Sequence, residues 1–159
     1  DFLPVYTAQV DITALCKKVA SQMSLLATDK KLQLKQEIQD NLVMQGDEMA
    51  LSRLLIILLD NAMKYSPEQT TITLRAAKMK PHLVLEVRDE GCGISDEDKQ
   101  KIFDRFFRVD KARSRSQGGL GLGLSLALAI VRQHGGSIKV LDNKPQGTVM
   151  YVQLPTAAK

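Results

Sequence analysis

The sequence predicts an α+β fold: a two-layer sandwich, with a mixed sheet covered on one face by about three helices and a mobile loop late in the chain. Three observations predict it. Apolar residues recur at helical spacing over about 13–30, 48–64 and 122–134. Alternating or short apolar runs at 5–11, 32–38, 41–46, 71–78, 82–90, 137–143 and 147–154 read as strands. Their order is β-α-β-β-α-β-β, a long loop, then α-β-β, which suits helices gathered on one face of a sheet.

Each element has its own local warrant. Asp11 or Thr13 caps the first helix, "TALCKKVASQMSLLATDK". "LQLKQEI" alternates as a strand, and "NLVMQG" is a second short one. Asp47 then caps "EMALSRLLIILLDNAMK", whose wide apolar face predicts burial. Pro67 ends that region, and "MKP" turns between the strands 71–78 and 82–90. A short helix is expected at 96–101, before the aperiodic stretch 109–119. Gly135 and Gly136 close the last helix, and "NKPQG" joins the final two strands.

The bulk numbers are those of one ordinary domain spanning residues 1–159, without repeats or low-complexity segments. Hydrophobic residues make up 44% and aromatics only 4%, so the core is aliphatic. A net charge of +4 is too mild to argue for nucleic acid. The longest apolar run, Leu54 to Leu59, falls far short of the ~20 residues that cross a bilayer. Cys16 and Cys92 have no metal-ligand spacing and suggest a reducing, cytosolic setting.

Four segments carry chemistry. In "LLDNAMKYS", Asn61 offers an oxygen suited to Mg²⁺ and Lys64, on the same helix face, offers a point charge for phosphate. Alone, that segment reads better as a solvated helix end, with Lys64 near the negative end of the dipole. In "VRDEGCGI", a strand delivers Asp89 into a loop with Gly91 and Gly93. A carboxylate there can accept from an exocyclic amine, and glycines let backbone approach a flat base. A turn after an edge strand is the plainer alternative. In "FDRFFRVDKARSRS", Arg108, Lys111, Arg113 and Arg115 put four cations on one loop, which suits a triphosphate or a docking partner, although a solvated, disordered basic loop is the commoner meaning of such a run. In "GGLGLGLSLALAIV", Gly119, Gly121 and Gly123 precede a helix whose free N–H groups suit an anion. The spacing is neither that of a P-loop nor that of a dinucleotide fingerprint.

Together, in this order, the four segments resemble the ATP-binding catalytic domain of bacterial sensor histidine kinases. "DNAMKYS" matches that family's N box, "DEGCGI" its first glycine box, "FDRFFR" its F box and "GGLGLGLSLA" its second glycine box. The resemblance covers nearly the whole chain. The same ATP-binding fold, the Bergerat type, serves a type II topoisomerase, a heat-shock chaperone, mismatch repair and some anti-sigma kinases; the F box and "GLGLS" point to the histidine-kinase branch.

The resemblance implies that Asn61 holds Mg²⁺ against the triphosphate of ATP, that Lys64 contacts phosphate and that Tyr65 packs against the nucleotide. It implies that Asp89 binds the adenine amine, helped by Gly91 and Gly93, with Ile94 lining the base pocket. Arg108, Lys111 and Arg113 would close as a lid, anchored by Phe103, Phe106 and Phe107, with core packing an equally good reading of at least one of these. Gly119, Leu120, Gly121, Leu122 and Gly123 would wrap the β- and γ-phosphates.

One position departs from the pattern. Where the family often has Asn, four residues before the Mg²⁺-binding Asn, this chain has Ile57. Isoleucine binds no metal and activates no water, which argues against efficient hydrolysis but leaves phosphoryl transfer open. A nucleotide-binding module with weak or no catalysis and an ATP hydrolase of the same fold remain the alternatives. Neither His82 nor His134 sits in a long amphipathic helix beside an acidic residue, so both read as structural, His134 as a cation suited to a helix C-terminus. The resemblance therefore implies a catalytic half alone. Its partners would be a phosphoacceptor and dimerisation domain of the same parent chain and a response-regulator receiver domain, not nucleic acid. The fragment would be monomeric and cytoplasmic, in a homodimeric, membrane-anchored sensor.

Overall fold

The computed structural model describes residues 7–104 and 123–156. Strand β1 (Ala8–Asp11) leads directly into α1 (Ile12–Asp29), followed by β2 (Gln33–Ile38) and β3 (Val43–Gly46). Helix α2 (Glu48–Lys64) precedes the hairpin β4 (Thr71–Met79) and β5 (His82–Arg88). The short α3 (Asp96–Lys99), then α4 (Gly123–Gln133), β6 (Ser137–Asp142) and β7 (Thr148–Pro155) complete the described chain. Of the expected strand 5–11 the described residues hold Ala8–Asp11, and the expected helix 96–101 is one turn.

The main sheet has five strands in the order β2-β4-β5-β7-β6, with β2 parallel to β4 and every other pair antiparallel. β1 and β3 form a separate antiparallel pair. Ile72, Leu74 and Ala76 of β4, Leu83, Leu85 and Val87 of β5, and Met150, Val152 and Leu154 of β7 alternate onto one face and are all buried. The three long helices cover that face: α1 lies over β2 and β4, α2 over β4 and β5, and α4 over β6. Leu51, Leu54, Leu55, Leu58 and Leu59 of α2 are at most 1% exposed, so the central helix is the spine of the core. Among the described residues, no helix is long and apolar enough to cross a membrane.

The helix starts have identifiable causes. Asp11 caps α1 by accepting from the Ala14 amide at 3.0 Å. Thr13 lies inside the first turn instead, where its hydroxyl donates to the Gln39 carbonyl at 2.7 Å and accepts from the Leu42 amide at 3.0 Å. Asp47 caps α2 by accepting from the Ala50 amide. Asp47's own N–H is taken by His134, whose Nε2 accepts it at 3.0 Å. His134 Nδ1 faces the Ile130 carbonyl at 2.8 Å. An Nε2 that accepts and an Nδ1 that must donate describe a neutral imidazole. The expectation of a cation at this helix end is therefore corrected, and the structural reading of His134 stands on geometry. Replacing His134 with Phe should cost about 1 kcal/mol in urea denaturation, because it removes the partner of the half-buried Asp47 amide.

On the opposite face of the sheet, Glu86 is only 3% exposed, yet both of its oxygens are used. Arg75 Nη1 donates to it at 2.9 Å and Arg88 Nε at 2.7 Å. Cys16 is fully buried, and that burial pushes its thiol up to about 12.

Candidate functional site

The C-terminal half of α2 is where three of the four sequence segments meet. Ile57, Asn61 and Tyr65 are spaced by four and so lie along one side of the helix. Gly91 is buried against its end: a Cβ there would sit 2.6 Å from the Tyr65 carbonyl oxygen, so only glycine lets this loop nest on the helix. At the other end of the stripe, a Cβ on Gly123, the first residue of α4, would lie 3.5 Å from Ile57 Cγ2. Asn61 is half-buried between those two contacts. Lys64 Nζ pairs with Asp60 Oδ2 at 3.2 Å, one turn apart on α2.

Asp89 follows the last residue of β5. Its amide donates to the Thr148 carbonyl at 2.9 Å, so the ladder with β7 fixes the start of the loop. Its Oδ1 accepts two backbone N–H groups, from Gly91 at 2.9 Å and Thr148 at 3.1 Å. Oδ2 accepts none from the described residues. Burial raises the Asp89 pKa above the ordinary 3.8; the two backbone amides oppose that shift, and the charge of Glu90 adds to it. Gly93 has φ +80, a left-handed conformation that suits glycine, and Ile94 is half-buried against the core.

Several residues here carried no signal in the sequence beyond a turn. Asn143 Nδ2 donates to the Asp89 carbonyl at 2.8 Å, and Gln146 Nε2 donates to the Gly91 carbonyl at 2.8 Å. Lys99 Nζ bridges Asp96 and Asp142, both at 2.7 Å, which ties α3 to the end of β6. Thr148 is 5% exposed, and among the described residues its hydroxyl has no hydrogen-bond partner. Ile102 is buried and Phe103 packs against the core, in agreement with the packing reading of that phenylalanine. Phe106, Phe107, Arg108, Lys111, Arg113, Gly119, Leu120, Gly121 and Leu122 lie outside the described residues, as does the expected mobile loop.

The Asp89 loop and the start of α4 both meet one side of α2. The arrangement presents a carboxylate oxygen and a Thr148 hydroxyl that have no hydrogen-bond partner among the described residues, an amide oxygen and the N-terminus of a helix. Among the described residues, no three His, Cys, Asp or Glu side chains gather to hold a metal.

Comparison with known proteins agrees with this geometry. Residues 46–158 match the model of the family described as histidine kinase-, DNA gyrase B- and HSP90-like ATPases. The sensor protein CiaH of Streptococcus pneumoniae is 44% identical over 108 residues, 68% of this chain and 24% of that protein. The sensor-like histidine kinase SenX3 of Mycobacterium tuberculosis is 32% identical over 146 residues, 92% of this chain and 36% of that one. The chain thus spans about a quarter to just over a third of these relatives. The crystal structure of full-length ShkA in complex with AMPPNP superposes with a TM-score of 0.86 at 25% identity, covering 100% of this chain and 33% of ShkA. The chain belongs to the histidine kinase-, DNA gyrase B- and HSP90-like ATPase family, within which it is an ATP-binding domain of the histidine-kinase type.

Proposed function

We propose that this domain binds Mg-ATP and presents its γ-phosphoryl group to a histidine on a separate phosphoacceptor and dimerisation domain, within two-component signalling. The observation that carries the reading is the convergence on α2: the Asp89 loop packs at Tyr65, α4 begins at Ile57, and Asn61 lies between. Asp89 Oδ2 accepts the exocyclic amine of adenine, Gly91 and Gly93 bring backbone close to the base, and Ile94 lines the pocket. Tyr65 packs against the nucleotide, and Lys64 turns from Asp60 towards phosphate. Gly123 opens α4 with N–H groups that favour phosphate, helped by Gly119, Leu120, Gly121 and Leu122 before it. Arg108, Lys111 and Arg113 supply the charges of the lid.

The donor set fits Mg²⁺ carried in by the triphosphate. Asn61 supplies an amide oxygen, and Ile57, packed towards Gly123, supplies nothing; Mg²⁺ ordinarily takes one or two protein oxygens besides phosphates and water. When bound, Mg²⁺ neutralises charge on the β- and γ-phosphates. The chain's own residues bind, orient and exclude water, which is most of what phosphoryl transfer asks of a protein. The nucleophile comes with the other domain. The parent protein would be a homodimeric membrane sensor whose phosphohistidine passes its group to a response regulator.

Calorimetry with and without Mg²⁺, followed by incubation with γ-labelled ATP and a phosphoacceptor domain, tests this. Mg-dependent binding and acid-labile label on histidine are expected. Asn61→Ala should remove about tenfold in Mg-ATP affinity while leaving metal-free ATP binding nearly unchanged. Binding without any transfer would reduce the domain to a nucleotide sensor, and no binding would overturn the reading.

A further inference from the structure

The loop that follows β5 has no regular secondary structure from Asp89 to Ser95. Its shape is set from outside. The Asp89 amide is taken by the Thr148 carbonyl, and the Gly91 amide by Asp89 Oδ1. The carbonyls of Asp89 and Gly91 are taken by two side chains of the β6–β7 turn, Asn143 and Gln146. Asn143 is locked in turn: its Oδ1 accepts the Lys144 amide at 2.9 Å, and its backbone N–H closes the turn on the Gly147 carbonyl at 3.0 Å. The Lys144 bond also fixes which end of the Asn143 amide is the donor. Gly147 has φ +118, and a Cβ there would collide with the Asp89 carbonyl, so the turn lies directly on the loop.

We propose that the β6–β7 turn, through Asn143 and Gln146, positions the Asp89 carboxylate and thereby sets the base selectivity of the nucleotide site. This deepens the nucleotide-binding reading above and rests on it. Selectivity follows from the chemistry of the two purines. Adenine presents an amine where guanine presents a carbonyl. A carboxylate oxygen held fixed there gains a hydrogen bond from adenine and meets guanine acceptor to acceptor. If the loop is free to shift, both effects fade: ATP loses its bond and GTP loses its penalty. Asn143 and Gln146 touch no nucleotide in this scheme; they are positioning residues.

Calorimetric titration of Mg-ATP and Mg-GTP into the intact 159-residue chain and into Asn143→Ala, Asn143→Asp and Gln146→Leu tests the proposal, with thermal midpoints recorded in parallel. Asn143→Asp keeps the acceptor for Lys144 but puts an oxygen against the Asp89 carbonyl, so it should be the worst of the three. Gln146 is exposed, so its variant keeps the fold if Asn143 variants do not. ATP affinity is expected to fall roughly tenfold, with GTP affinity changing less than about twofold, so the ATP-to-GTP preference collapses. A purely structural role would lower the thermal midpoint and the bound fraction while leaving that preference intact, and this result would overturn the proposal. A wild-type chain that prefers ATP beside folded variants with the same preference sinks the turn's role alone. A wild-type chain that binds neither nucleotide sinks the nucleotide reading, and this one with it.

Discussion

Asp89→Asn is expected to lose about a hundredfold in Mg-ATP affinity while the folded domain survives intact. The two outcomes separate because the two carboxylate oxygens do different work. Oδ1 accepts the Gly91 and Thr148 amides, and an asparagine oxygen does the same in the same place. Oδ2, which accepts nothing from the described residues, would become an NH₂ group. The adenine amine would then face a donor, so the variant loses a charge-assisted bond and gains an unpaired pair of donors. GTP, which offers a carbonyl at that position, should lose less or gain. Calorimetry with both nucleotides and a urea melt decide it; equal losses for ATP and GTP would remove Asp89 from base recognition.

The same substitution carries a pH signature. Burial raises the folded-state pKa of Asp89 above its unfolded value of 3.8, so the folded protein holds this proton more tightly than the unfolded chain. The group's contribution to stability is complete below 3.8 and is lost as pH climbs through the raised folded value. Asp89→Asn has no proton to lose, so its stability relative to wild type should improve with rising pH across that interval. ATP affinity of the wild type should move the opposite way, rising as the carboxylate ionises. A carboxylate that weakens the fold at the pH where it binds best is the trade expected of a binding group.

How much of this was legible in the sequence depends on range. Helical and two-residue periodicity placed α1, α2, α4 and the strands because each signal is local, and the layer order followed from element order. Boundaries slipped where tertiary contacts decide them. Thr13 serves the Gln39–Leu42 connection rather than the helix cap, and β5 ends at Arg88, where the Asp89 carboxylate takes the Thr148 amide. Asn61, Asp89 and Gly91 stood out only as members of an ordered set of segments. The turn at 143–147 looked like a turn and nothing more, since its partners lie 54 and 55 residues earlier. Nothing in "NKPQG" says which loop it leans on. His134 misled for the same reason: its place at a helix end suggested a cation, and its actual partner is an amide 87 residues away.

Gly136→Ala is expected to destabilise the fold by about 3 kcal/mol, and Gly135→Ala by only about 1 kcal/mol, although the two residues are adjacent. Both follow α4, and both accompanied the glycine-rich stretch in the sequence. Gly135 has φ +74 and completes the helix end, its amide donating to Arg132 at 3.0 Å. A Cβ there would meet nothing closer than Pro155 Cγ at 3.8 Å, so alanine suffers only the left-handed backbone cost. Gly136 is the opposite case. Its amide returns to the Val131 carbonyl at 3.0 Å, and a Cβ would drive into the Gln153 carbonyl oxygen and the Leu154 side chain at 2.9 Å. The clash is with the backbone of β7, which is locked between β5 and β6, so it cannot yield without opening the sheet. Urea denaturation of the two variants measures the difference. ATP affinity of whatever fraction stays folded should be unchanged in both, because these glycines sit at the end of α4 opposite Gly123. A Gly136 variant with normal stability and impaired ATP binding would move that glycine from the helix end to the phosphate site.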